Sequence, residues 1–100
     1  MIIKIREGSE RMNDVWGALS DATRREILSM LRTRSMTAGE IADQFELSKA
    51  TVSHHLSILK QAGLITGEKK AQTITYSLNT TVFQEFMKSV AALFDREGED

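Results

Sequence analysis

The sequence predicts a mostly α-helical domain with one small β-hairpin, ordered as four helices, two strands and a last helix. Three observations predict it. Two capped helices meet across a two-residue turn within 37–62, a strand–loop–strand pattern follows at 64–78, and apolar residues at helical spacing line both ends of the chain.

Taken in order, residues 1–11 form an N-terminal extension that either extends the first helix, adds a short strand, or precedes a true start at Met12. Met12, Val15, Trp16 and Leu19 fall at i, i+3, i+4, i+7, which makes an amphipathic first helix. The second helix lies between that stripe and Thr37. Thr37 and Glu40 form a T-x-x-E capping box, followed at helical spacing by Ile41, Ala42 and Phe45. Glu46-Leu47 is the turn, short enough to force a sharp angle although it lacks a glycine. Ser48 caps the fourth helix, whose apolar stripe is Val52, Leu56 and Leu59 and whose end is marked by Gly63. Leu64–Thr66 and Thr73–Leu78 read as strands around a polar, mostly basic loop, 67–72. Thr81 and Gln84 suit a capping box for the last helix, with Phe83, Phe86, Met87, Val90, Leu93 and Phe94 at heptad-like spacing. This arrangement predicts a winged helix-turn-helix over residues 12–97, expected on the grounds given below to be the DNA-binding and dimerisation domain.

Rotating about 100° per residue from Val52 places Ala50, Ser53, His54, Ser57 and Gln61 opposite the stripe. A helix built only for solubility usually carries Lys and Glu there. Small groups with hydrogen-bonding tips can instead enter a DNA groove, with Lys49 and Lys60 on one flank toward phosphates. We therefore expect double-stranded DNA as the ligand. Ala50, Ser53 and His54, together with Thr51, are the expected base readers. Lys49, Ser57, Lys69, Lys70 and Gln72 are expected on phosphates or the adjacent minor groove, with Ser48 in the same interface. The bland alternative is a plain polar helical hairpin with a solvated, charged strand loop.

The hundred residues suffice for one domain, and no apolar run is long enough to span a membrane. Without cysteine there is neither disulfide stapling nor thiol redox chemistry, so a cytoplasmic protein without membrane insertion is expected. The net charge of −1 is unevenly spread. Residues 21–35 carry four arginines against Asp21 and Glu26, and 48–72 carry four lysines against Glu68, giving +2 and +3. Segments 36–47 and 73–100 each come to −3. Positive charge thus collects where DNA would lie.

Adjacent His54 and His55 point about 100° apart on a helix and cannot grip one ion as an i, i+4 pair does. His55, beside the apolar stripe, is expected to anchor the helix or touch a phosphate. No metal or cofactor is expected, a carboxylate-only site among Glu85, Asp95 and Glu97 being the one remaining route. No nucleophile elbow is present, so no enzyme activity is expected.

The run Ala18-Leu19-Ser20-Asp21-Ala22-Thr23-Arg24-Arg25-Glu26-Ile27-Leu28 resembles the opening signature of the ArsR/SmtB-type winged-helix repressors. Thr51-Val52-Ser53-His54-His55-Leu56 and Leu59-Lys60-Gln61-Ala62-Gly63-Leu64 resemble their recognition helix and its exit, and Tyr76-Ser77-Leu78 the end of their wing. The likeness runs over about residues 12–95 and is strongest to the metal-independent, SdpR-like subgroup. It departs at Ala22, where proline is usual, and at Ala71-Gln72, where a glycine turn is usual. The resemblance implies a homodimer formed by the first and last helices, here through Met12, Val15, Trp16, Leu19, Phe83, Phe86, Met87, Val90, Leu93 and Phe94. It implies a repressor on a palindromic operator, with release by a protein partner as a further option. Metal sensors of the family use cysteines near the motif or Asp/His sets on the last helix, and this chain has neither cysteine nor a last-helix histidine. The rival reading is a winged-helix protein-interaction module without DNA binding, which would offer the Phe83–Phe94 stripe to another protein.

Overall fold

The computed structural model describes residues 14–98, with side chains through Asp95. Residues 14–19 are helical (α1), and Met12 and the extension 1–11 lie outside the described residues. Then follow α2 (Ala22–Thr33), β1 (Met36–Thr37), α3 (Ala38–Phe45), α4 (Lys49–Gln61), β2 (Ile65–Lys70), β3 (Thr73–Leu78) and α5 (Thr80–Gly98).

Local chemistry sets most of the boundaries. Asp21 caps α2, its Oδ2 accepting the Arg24 N–H at 3.0 Å. The expected capping box opens α3: Thr37 Oγ1 accepts the Glu40 N–H at 3.2 Å and Glu40 Oε1 accepts the Thr37 N–H at 2.9 Å. Between α3 and α4 the chain reverses through Glu46, in the left-handed conformation at φ 56°, so a glutamate performs the turn that glycine usually makes. Gly63 (φ 81°) closes α4 in a Schellman motif, with Gly63 N–H donating to Lys60 O and Leu64 N–H to Leu59 O, both at 3.0 Å.

One core joins all the elements. Val15 and Ala18 of α1 meet Ile27, Leu28 and Leu31 of α2, Ile41 and Ala42 of α3, Val52, Leu56 and Leu59 of α4, and Val82 and Phe86 of α5. Met36, Ala62, Leu64 and Ile65 complete it from the strands and their approaches. The expected stripe of α4 is thus the buried face of that helix.

Four expectations are corrected. The wing is longer and its loop shorter, because Gly67–Lys70 continues β2 in register with β3 down to the pair Lys70↔Thr73. Backbone pairing, not side-chain composition, extends the strand, and only Ala71-Gln72 turns, with Ala71 at φ 57°. The sheet has three strands, not two, since Met36 and Thr37 pair with Tyr76 and Thr75. Asn79, rather than Thr81, caps α5: its Oδ1 accepts the Val82 N–H at 3.3 Å, and its own N–H donates to Leu64 O at 2.8 Å. Finally, Val15 and Phe86 belong to this chain's own core, at 2% and 6% exposure, and have no surface left to offer a second copy.

Candidate nucleic-acid interface

The helix-turn-helix presents α4 with its apolar stripe inward and Lys49, Ala50, Thr51, Ser53, His54, Ser57, Lys60 and Gln61 exposed. Two of the expected contacts already have work within the helix. Ser48 Oγ accepts the Thr51 N–H at 3.1 Å and donates to Thr51 Oγ1 at 3.0 Å, so these hydroxyls build the helix start. Ala50, Ser53, His54 and Ser57 remain as the exposed small and polar face. The stem of Lys49 lies along the first turn of α3, since a Cβ on Gly39 would stand 3.6 Å from Lys49 Cε. That places its ammonium beside both helices of the motif.

Beyond α4 the wing carries Lys69, Lys70 and Gln72, all exposed. Register and pleat divide them. Ile65, Gly67 and Lys69 share a face with Ile74, Tyr76 and Leu78, whereas Glu68 and Lys70 share the other with Thr73, Thr75 and Ser77. Lys69 and Lys70 therefore leave the ribbon on opposite sides. A Cβ at Gly67 would crowd Ile74 Cγ2 at 3.1 Å and Tyr76 Cε1 at 3.3 Å, so a larger residue there needs these side chains to give way by a few tenths of an ångström.

Three of the arginines of 21–35 keep their charge but are engaged within the chain. Arg24 Nε donates to Ala18 O at 2.7 Å and Arg25 Nη1 to Leu19 O at 2.8 Å, closing the carbonyl end of α1. Arg34 lies 4.0 Å from Glu40 in an exposed pair of little energetic weight. The Arg24 and Arg25 caps reach six residues back along the chain, a spacing with no recognised sequence signal.

His55 sits inside this junction and not on the outward face. Its side chain is 15% exposed, with Nδ1 3.3 Å from Arg24 Nη1 and 4.0 Å from Asp21 Oδ2. Of the two roles expected for it, anchoring the helix is the one its surroundings serve. Asp21 is held below the usual carboxylate range, first by the hydrogen bond from the Arg24 N–H. Partial desolvation opposes that shift, and the nearby charge of Arg24 reinforces it.

The terminal helices split into an inner and an outer part. Leu19, Phe83 and Val90 are half-buried against the core. Trp16, Met87, Leu93 and Phe94 are 50%, 44%, 55% and 68% exposed. Trp16 also stacks edge-on against Phe86, with ring centroids 5.0 Å apart, which binds α1 to α5 within the chain. No helix among the described residues is long and apolar enough to cross a membrane.

Comparison with known proteins matches this geometry. The profile of a bacterial regulatory protein family, the arsR family, covers residues 21–66. Transcriptional repressor SdpR of Bacillus subtilis (strain 168) is 57% identical over 74 residues, spanning 74% of this chain and 82% of that protein. Transcriptional activator HlyU of Vibrio cholerae is 32% identical over 77 residues, spanning 77% of this chain and 71% of that protein. Among solved structures, an ArsR-like transcriptional regulator from Rhodococcus sp. RHA1 superposes with a TM-score of 0.77 at 27% identity. That match covers 89% of this chain and 87% of the other.

Proposed function

This chain belongs to the arsR family of bacterial regulatory proteins, and we propose that it is a homodimeric repressor that reads a palindromic operator through α4 and the wing. It is a DNA-binding regulator of transcription and not an enzyme. The observation that carries the fuller reading is the outward face of α4, where Ala50, Ser53, His54 and Ser57 stand exposed on a helix whose other side is fully buried. Residues of this size can approach base edges, and Lys49, Gln72 and one of the two wing lysines, Lys69 or Lys70, lie at positions suited to the flanking backbone. Ser48 and Thr51 would act mainly by fixing the helix start. In a C2 dimer the two α4 helices would sit about one DNA turn (~34 Å) apart, matching two half-sites. Residues 12–97 form the working unit, with 1–11 as an extension, and the site of action is the cytoplasm, where the operator is. Occupying the operator would block polymerase.

The test is a salt-dependent titration of duplex DNA recovered by selection from a random pool, run beside sedimentation of the free protein. A dimer whose log affinity falls linearly with log salt on a palindromic site is expected. A monomer without DNA affinity would overturn the reading and favour a protein-docking module.

A further inference from the structure

We infer that Arg24 and His55 are positioning residues that lock the recognition helix to α1, so that the dimer sets the spacing at which its two α4 helices meet DNA. The inference rests on the proposed dimeric, operator-binding function and adds a mechanical link that neither the outward face of α4 nor the dimer surface contains.

One planar group makes the link. Arg24 Nε donates to Ala18 O at 2.7 Å and Nη2 to Gly17 O at 3.3 Å, and Nη1 lies 3.3 Å from His55 Nδ1. A guanidinium has donors only and stays protonated, so Nη1 donates, Nδ1 accepts and the ring proton sits on Nε2. The rigid fork thereby joins the carbonyl end of α1, the first turn of α2 and the middle of α4. Asp21, capping the same turn of α2, fixes the backbone beneath the guanidinium. Direct packing between α1 and α4 is interrupted nearby. An open cleft of about 450 Å³ lies between Asp14, Gly17 and Ala18 on one side and Ile58, Gln61 and Ala62 on the other. A Cβ on Gly17 would meet nothing within 4 Å. Beside that gap the polar bridge adds a directional link between the two helices. Trp16, one residue before the bridged carbonyls, is half-exposed on the proposed dimer surface, so the orientation of α1 in the dimer passes through Arg24 to α4.

Spacing selectivity tests this. The probe is the selected duplex together with versions whose half-sites are moved apart or together by one base pair. Wild type should lose about tenfold or more in affinity on either change, whereas His55→Leu and Arg24→Lys should lose only about two- to threefold. His55→Gln, whose amide oxygen can accept from Arg24, should restore the wild-type profile. Loss of helix stability alone would lower affinity for every spacing equally and leave the ratio unchanged. A His55→Leu variant that discriminates as wild type does, or a His55→Gln variant no better than His55→Leu, overturns the link while leaving the proposed function standing. A wild-type protein without spacing selectivity overturns the dimeric operator reading and the link with it.

Discussion

Asp21 closes the start of α2 and faces Arg24 and His55, so its charge is worth more folded than unfolded. Its folded pKa lies below the unfolded value. The stabilisation is therefore complete above the unfolded pKa, near 3.9, and drains away as pH falls through the folded one. Asp21→Asn keeps a good cap but has no charge to lose. Its melting temperature should fall less steeply than wild type's below about pH 4, and parallel acid limbs would refute this role of the carboxylate. On α4, Ser53→Ala combined with His54→Ala removes the polar tips of the exposed face. Discrimination between the selected site and its single-base variants should drop by about 1–3 kcal/mol at the positions read. A competition series against those variants measures it, and unchanged discrimination would remove both residues from base readout.

Among the elements, the helix-turn-helix was legible because caps and apolar periodicity are local properties. Thr37, Glu40, Ser48 and Gly63 each act within a few residues of their position. What escaped the sequence is held by distant partners. Met36-Thr37 is a strand only because Tyr76 and Thr75 pair with it, and Gly67–Lys70 is a strand only because Thr73–Tyr76 runs beside it. Asn79 is the exception, because its cap on the Val82 N–H is local and was as readable as Thr81. Of the candidate interface, the α4 face was readable from helical rotation, whereas the Arg24–His55 contact spans 31 positions and leaves no periodic trace. The extended wing alters an expectation about its lysines. Because Lys69 and Lys70 leave opposite faces, one single replacement by alanine should carry most of the loss seen in the double variant. The double variant should weaken selected and unrelated DNA alike and flatten the log–log salt slope by about 1, not 2. Equal losses from the two single variants would show that both lysines reach the backbone.

For the whole molecule, the exposed apolar surface is the decisive feature. With Val15 and Phe86 in this chain's own core, the dimer surface we propose on the terminal helices rests on the exposed Trp16, Met87, Leu93 and Phe94. Among the described residues Leu93 and Phe94 are the most exposed of the large hydrophobic side chains, and neither is among the fully buried side chains that support this chain's fold. Covering such a side chain contributes about 1.5–3 kcal/mol, and a two-fold axis counts each contribution twice. Leu93→Glu with Phe94→Glu should therefore weaken self-association by more than ~100-fold, while the thermal unfolding of the single chain changes little. Operator affinity should fall with it, because a monomer contacts one half-site and loses the second helix that the first holds in register. A single half-site should be bound about equally by variant and wild type, which separates lost pairing from damaged α4. Sedimentation of the variant as an undiminished dimer would place the interface elsewhere on the molecule. Loss of half-site binding would instead mean that α5 supports α4 directly.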